Sequence, residues 1–174
     1  MPTNTLWTIG HSNRELAEFL ALLAPEKIEV IADVRRFPGS RRHPHFGCDA
    51  LRVVLSDAEI KYVHFPDLGG RRSKRSDSSQ NAGWRVAAFA AYADYMQTDQ
   101  FVRAFEQLAN LAVQSRTAIM CAEALPWQCH RRLIADQFLA KGWNVWDIVG
   151  QNQVKVHDLP PFAVVTDGQV TYPG

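Results

Sequence analysis

The stretch that decides the fold class is LWTIGHSNRELAEFLALLAPEKIEVIADV, residues 6–34. Residues 6–9 are a short apolar run that ends at Gly10, and residues 28–34 are a second run rich in β-branched side chains; both patterns predict buried strands. Between them, the apolar residues of 16–23 recur at helical spacing, and Pro25 ends that helix. A strand, a helix and a strand with short links predict a βαβ unit of a parallel sheet.

The same alternation continues along the chain. Further strands are predicted at 61–65, 117–121 and 144–149, and further helices at about 49–56, around 84–95, and at 99–114 and 128–141. Asp49 and Thr98 are the expected N-caps of the helices at about 49–56 and 99–114. We therefore expect one α/β domain over residues 1–174 with three layers, a mainly parallel sheet of about five strands and helices on both faces. The prolines at 160–161 leave two alternatives for the last residues, a small hairpin or a segment that wraps the surface.

Composition restricts the class of protein. The chain has 174 residues, of which 47% are apolar and 21% are charged, as is usual for a globular domain. It has no apolar run of about 18 residues, so no membrane partner is expected, and its first residues do not resemble a signal peptide. The three cysteines have no framework spacing. Together these features predict a cytoplasmic protein with free thiols.

The net charge of +1 hides a basic stretch. Residues 35–75 contain ten Lys and Arg against four Asp and Glu, whereas the rest of the chain is net acidic. A single basic stretch in a nearly neutral protein favours a localised anion site, and the alternative is a solvated loop.

Polar loops follow four of the predicted strands, at 10–14, 33–36, 67–72 and 121–131. Ligands of parallel α/β sheets bind outside the carboxyl ends of the strands. We therefore expect these loops to form one pocket. The residues predicted to bind a ligand there are His11, Ser12, Arg35, Arg36, Arg41, Arg42, Arg71, Arg72, Cys121 and Arg131.

The arginines of this set are suited to phosphate or carboxylate groups. Phosphate could also bind the backbone amides that open the helix after Ser12, although Ser12 is most simply a helix cap, with Glu15 at the spacing of a capping box. In the alternative interpretation, about half of the arginines pair with surface carboxylates or are solvated.

Four residues are candidates for chemistry: Cys129, His130, Glu123 and Asp33. Cys129 is predicted to stand at a helix N-terminus near arginines, where a thiol becomes reactive, with His130 or Glu123 as proton carrier. Asp33 is either a general base or the partner that holds Arg35.

The same loops contain residue types that can bind zinc: Cys121, Glu123, Cys129 and His130, with His43 and His45 in the long loop. The spacing of the cysteines and histidines is not that of a structural zinc site, so no metal is predicted. Without a dinucleotide fingerprint or a P-loop, no nucleotide cofactor is predicted.

Five motifs together resemble a known family. They are Gly-His-Ser-Asn-Arg at 10–14, Asp-Val-Arg at 33–35, Leu-Gly-Gly at 68–70, Tyr-Ala-Asp-Tyr-Met at 92–96 and Cys-Ala-Glu…Cys-His-Arg at 121–131. The chain is identified by them as a member of the uncharacterised family "domain of unknown function 488", over roughly residues 5 to 165. The resemblance implies a shared fold and pocket and implies no activity.

Three functions are consistent with these features. The leading hypothesis is a protein that binds a phosphate-bearing ligand, a nucleotide or a nucleic-acid end, in the arginine-rich pocket and acts on it as a hydrolase or transferase. The second is a non-enzymatic nucleic-acid-binding or regulatory module. The third is a thiol-dependent enzyme that uses Cys129. The partner expected is an anionic small molecule or a nucleic acid, and the sequence leaves the substrate, the oligomeric state and the strand order open.

Overall fold

The computed structural model describes residues 4–39, 42–70 and 81–174. These residues form eight strands and five α-helices. The strands are β1 Thr5–Gly10, β2 Val30–Asp33, β3 Lys61–His64, β4 Thr117–Cys121, β5 Asn144–Gly150, β6 Gln153–Val156, β7 Val164–Thr166 and β8 Gln169–Thr171. The helices are α1 Leu16–Leu23, α2 Cys48–Asp57, α3 Ala87–Tyr95, α4 Asp99–Gln114 and α5 Arg131–Ala140.

Six strands form one sheet, in the order β3–β2–β4–β1–β5–β6. The first five in this order are parallel to one another, and β6 runs antiparallel to β5 at the edge. The predicted parallel α/β sheet is confirmed, with one strand more than expected. The order also shows that β1 and β2 are not neighbours, because β4 lies between them.

Each face of the sheet carries its own hydrophobic core. Alternate strand residues such as Ile9 and Met120 pack with side chains of α1 and α2. The intervening residues, such as Leu6 and Ile119, pack with side chains of α3, α4 and α5. This division follows from the period of two in strands, and it confirms the three predicted layers.

The two cores explain where a crevice opens. β1 and β2 lead into α1 and α2 on one face, whereas β3 and β4 lead into helices on the other. From β4 the chain continues to one face of the sheet, and from its neighbours β1 and β2 it continues to the other face. The carboxyl end of β4 is therefore a topological switch point, where α/β proteins bind ligands.

Of the three predicted N-caps, one is confirmed and two are wrong. Thr98 caps α4 as expected, since its Oγ1 accepts a hydrogen bond from the Phe101 amide at 3.3 Å. The capping box at Ser12 was wrong: α1 has Glu15 at its N-cap position with no side-chain cap, and Ser12 has a φ of 50°. The cap expected from Asp49 was wrong too, because Gly47 holds that position before α2.

The last residues form the small hairpin, one of the two structures that the sequence left open. β6 extends the main sheet, and β7 and β8 form a separate antiparallel hairpin. Tyr172, just after β8, is fully buried against the core that contains α5. Among the described helices, none has the length and apolar character needed to cross a membrane.

Candidate functional site

A cavity of about 410 Å³ opens at the carboxyl ends of β2, β3 and β4. The loop after β2 provides Arg35 and Arg36, and the segment that leads into α5 provides Cys129 and His130. One side of α3 completes the wall. The full lining is Arg35, Arg36, Phe37, Gly39, Gly70, Ala88, Phe89, Tyr92, Cys121, Ala122, Glu123, Gln128, Cys129 and His130. The cavity lies where the topology predicts a ligand site.

Arg35 is held in this wall by Asp33. Its Nε donates to Oδ1 of Asp33 at 2.9 Å and its Nη2 to Oδ2 at 2.7 Å, and both side chains are buried. The Tyr62 hydroxyl also donates to Asp33. Burial lowers the pKa of Arg35, but its contacts with Asp33 outweigh that effect, so the net pKa is raised. Of the two roles expected for Asp33, the contacts match the support of an arginine.

His11 lies behind this ion pair. Its Nδ1 is 2.8 Å from the Ser12 carbonyl oxygen, which requires a proton on Nδ1, so Nε2 accepts from Nη1 of Arg35 at 3.3 Å. The ring stacks on Phe46 at 4.5 Å. Burial and, to a smaller extent, the charge of Arg35 lower the pKa of His11 from 6.5 to about 4, against the hydrogen bond to Ser12, which raises it. His11 is therefore neutral and orients Arg35.

Cys121 and Cys129 meet on the cavity wall and are paired as a disulfide. Cys121 ends β4, and Cys129 follows a short 3₁₀ turn at Pro126–Gln128 and stands two residues before α5. Cys48 is the remaining cysteine, free and partly exposed. The sequence placed both residues in one loop but treated all three cysteines as free thiols, so the pairing is a finding of the structure.

His130 is oriented toward Cys129. Its Nε2 lies 2.9 Å from the Val34 carbonyl oxygen, so this nitrogen carries the proton and donates. The lone pair of Nδ1 then faces Sγ of Cys129 at 3.4 Å. An unprotonated ring nitrogen beside a thiol is the arrangement in which histidine accepts a thiol proton.

Arg131 is a buried cation beneath the cysteine pair. Its side chain is fully buried, and Nη1 lies 2.9 Å from Sγ of Cys121. It also donates to the carbonyl oxygens of Glu123 and Ala124 and, at 3.3 Å, to the Thr8 hydroxyl. Burial lowers the pKa of Arg131 to about 10, and the side chain stays charged at neutral pH. Arg131 fixes the loop after β4 and places its positive charge beside Sγ of Cys121.

Two glycines let the loops approach closely. A Cβ on Gly10 would lie 1.5 Å from the Glu123 carbonyl oxygen, so β1 could not lie against the loop after β4. A Cβ on Gly69 would lie 2.5 Å from Cα of Arg36. Neither glycine has a positive φ. Glycine is required at both positions because there is no room for a side chain, not because of the backbone conformation.

A buried charge network behind the cavity was missed by the sequence analysis. His157 bridges two aspartates, with Nδ1 at 2.7 Å from Asp147 and Nε2 at 2.7 Å from Asp136. Tyr172 donates to Asp136, and Thr8 donates to Asp147 and accepts from Arg131. Burial lowers the pKa of His157, but the hydrogen bonds that its ring donates to both aspartates raise it to about 9. Isolated polar residues at 136, 147 and 157 form no local motif, so no sequence signal could have found them.

The structure brings six of the predicted site residues to the cavity. They are Arg35, Arg36, Cys121, Glu123, Cys129 and His130. Four others lie behind it or beside it: Asp33, His11 and Arg131 are buried supports, and the Ser12 amide donates to the Ala122 carbonyl oxygen. Arg42 is exposed and does not line the cavity. Arg41, Arg71 and Arg72 lie outside the described residues.

No group of three or more His, Cys, Asp or Glu side chains that could hold a metal occurs within residues 4–39, 42–70 and 81–174. The lining of the cavity carries the cysteine pair, an imidazole, two guanidinium groups and the Glu123 carboxylate.

Comparison with known proteins gives one match. A model of the family described as "Domain of unknown function DUF488" matches residues 15–138, more than two thirds of the chain. No curated protein and no solved structure matches this chain. The matched segment runs from α1 to within α5 and includes both cysteines of the cavity.

Proposed function

This chain belongs to the DUF488 family, whose description assigns no activity. From the geometry of the site we propose that it is a thiol-dependent enzyme acting on a phosphate-bearing ligand. Cys129 is the nucleophile, His130 accepts its proton, and the cavity at the carboxyl ends of β2, β3 and β4 holds the ligand. The observation that carries the proposal is the 3.4 Å approach of Nδ1 of His130 to Sγ of Cys129 on the cavity wall.

The proposed reaction begins from the reduced dithiol. The Cys129 thiol gives its proton to Nδ1 of His130, and the thiolate attacks phosphorus. A sulfur–phosphorus bond forms while the bond from phosphorus to the leaving oxygen breaks, and that oxygen takes the proton from His130. Water then cleaves the sulfur–phosphorus bond, which releases phosphate and restores the thiol. In a transferase, an acceptor hydroxyl takes the place of water.

The positive groups around the cavity support an anionic ligand. Two arginines line it, Arg35 and the exposed Arg36, against the single carboxylate of Glu123. Cys129 and His130 directly precede α5, whose N-terminus adds a partial positive charge. Arg35 is bound to Asp33, and Arg36 is the exposed arginine of the lining.

The test is hydrolysis of p-nitrophenyl phosphate by the reduced protein. The wild type should release p-nitrophenol, and Cys129→Ser should abolish the activity. His130→Asn should lower kcat by on the order of a hundredfold or more, as expected for loss of a general acid–base group. Arg36→Ala should raise KM with a smaller effect on kcat, because it removes ground-state binding.

The matched control is Cys48→Ser, which removes the partly exposed thiol in α2 and should leave the hydrolysis unchanged. If the purified wild type has no activity on p-nitrophenyl phosphate and inorganic phosphate does not bind, the proposal is wrong. Activity that survives in Cys129→Ser would exclude the assigned nucleophile.

The nucleic-acid-binding alternative receives less support from the contacts. Arg35, the first arginine of the basic stretch, is buried with Asp33, and a buried ion pair is poorly available to a phosphate backbone. A binding assay with single-stranded and duplex DNA at rising salt tests this alternative, which requires affinity that falls steeply with salt.

A further inference from the structure

The two cysteines of the cavity have different surroundings. Cys129 is 6% exposed and contacts His130. Cys121 is 1% exposed and lies against the guanidinium of Arg131. Both residues line the cavity, one beside an imidazole and the other beside a cation.

The contact with Arg131 favours the ionised form of Cys121. Arg131 is fully buried, and none of the ion pairs among the described residues includes it. Its other direct contacts are neutral oxygens of Thr8, Glu123 and Ala124, and the Asp147 carboxylate acts on it through the Thr8 hydroxyl. Nearby negative charge stabilises a buried cation, and the sulfur 2.9 Å away can add to that of Asp147 as a thiolate.

We propose that Cys121 and Cys129 form a redox-active dithiol that reduces small anionic disulfides, with Cys129 as the attacking thiol and Cys121 as the resolving thiol. This activity goes beyond the proposed function and shares its nucleophile. The geometry that carries it is the direct pairing of the two sulfurs on the wall of an open cavity, one beside an imidazole and the other beside a cation.

The exchange takes two steps. The Cys129 thiolate attacks one sulfur of the ligand, which forms a mixed disulfide and releases the first small thiolate. The Cys121 thiolate then attacks the Cys129 sulfur, which forms the Cys121–Cys129 disulfide and releases the second. The ligand gains two electrons and the protein loses two, and an added dithiol such as dithiothreitol returns the protein to its starting state.

Burial and charge define the class of ligand. Since the sulfurs are nearly inaccessible from bulk solvent, the disulfide must enter the cavity of about 410 Å³. This excludes disulfides embedded in a folded protein surface. The arginines of the lining favour a ligand that carries carboxylates or other anionic groups.

The experiment uses 3,3′-dithiodipropionate, a small dianionic disulfide, and cystamine, its dicationic counterpart. The protein carries Cys48→Ser, so that the only thiols are those of the pair. The reduced protein should release two equivalents of thiol from dithiodipropionate and gain no mass. It should react at least about tenfold more slowly with cystamine, which corresponds to a free-energy difference of about 1.4 kcal/mol.

Replacing one cysteine separates the two roles. Cys121→Ser should stop after one equivalent of thiol and keep the ligand as a mixed disulfide on Cys129, detected as a mass increase, and Cys121→Ala should behave in the same way. Cys129→Ser should release almost no thiol. A wild-type pair that keeps the mixed disulfide, a Cys129→Ser variant that reacts as fast as the wild type, or faster reaction with cystamine would overturn the proposal.

The two proposals can fail separately. Thiol release without hydrolysis of p-nitrophenyl phosphate would remove the phosphate reaction and leave the dithiol. Hydrolysis with release that stops at one equivalent would remove the resolving role of Cys121 and leave the nucleophile.

Discussion

Asp33 determines how the first arginine of the basic stretch is used. Its carboxylate is fully buried and accepts hydrogen bonds from the backbone and the side chain of Arg35 and from the Tyr62 hydroxyl. The sequence predicted this pairing as one of two roles for Asp33, because a carboxylate at a strand end stands two residues before an arginine. It could not predict Tyr62 or His11, which reach the pair from other strands of the sheet.

The first prediction concerns this pair. Asp33→Ala should lower the free energy of unfolding by about 3–5 kcal/mol, because it leaves the Arg35 charge buried and uncompensated. Urea denaturation followed by circular dichroism measures the change. Asp57→Ala removes an exposed carboxylate at the end of α2 and should stay within about 0.5 kcal/mol of the wild type. Equal stability of the two variants would contradict this role of Asp33.

Among the elements, the cavity depends on how closely β1 lies to the loop after β4. Hydrogen bonds join the His11 amide to the Cys121 carbonyl and the Ser12 amide to the Ala122 carbonyl, at 2.9 and 2.8 Å. Gly10 stands at this contact, where a side chain would meet the Glu123 carbonyl oxygen. The approach holds the cysteine loop in position beside the end of β1.

The second prediction follows from that contact. Gly10→Ala should destabilise the protein by at least about 1–3 kcal/mol, because the added methyl overlaps backbone atoms that cannot move without separating the loop from β1. Thermal unfolding measures the effect. Gly39→Ala is the matched control, since a Cβ there meets nothing within 4 Å, and it should leave the melting temperature nearly unchanged. The contact is unimportant if both variants melt together.

Helices and strands were predictable where a periodic apolar pattern determines packing. The bounds of β4 and α4 were predicted to the residue, and α4 also has its expected cap at Thr98. The Ser12 cap failed because the spacing to Glu15 says nothing of the backbone at Ser12, which turns into the left-handed region to bond the loop after β4. That bond joins segments more than 100 residues apart, and a local pattern does not contain it.

For the molecule as a whole, the buried charges tie the end of the chain to the site. His157 follows β6 and Tyr172 follows β8, yet both contact Asp136 in α5. Through Asp147 and Thr8 the same network reaches Arg131 and the cysteine pair. These contacts join residues that are far apart in the sequence, so the local patterns that predict strands and loops do not contain them.

The third prediction is a pH dependence of stability. The folded protein raises the pKa of His157 from 6.5 to about 9, so it binds this proton more tightly than the unfolded chain does. The contribution, about 3 kcal/mol for such a shift, is fully present below pH 6.5 and is lost as the pH rises through about 9. Unfolding in urea at a series of pH values from 6 to 10 measures it.

His157→Gln is the variant that isolates this effect. It should be less stable than the wild type at pH 6, and the difference between the two proteins should shrink as the pH approaches 10, because the variant has no proton to lose at this position. A constant difference across this range would show that folding does not raise the pKa of His157.

The central claim is that Cys129 is an activated thiol in an anion-binding cavity, and alkylation of the reduced protein at pH 6 tests it most directly. An ordinary thiol, with a pKa of about 8.5, is almost entirely protonated at that pH. The account predicts that iodoacetamide modifies Cys129 much faster than the more exposed Cys48, and that inorganic phosphate slows the reaction of Cys129 alone. Modification of Cys129 no faster than that of Cys48, with no effect of phosphate, would contradict it.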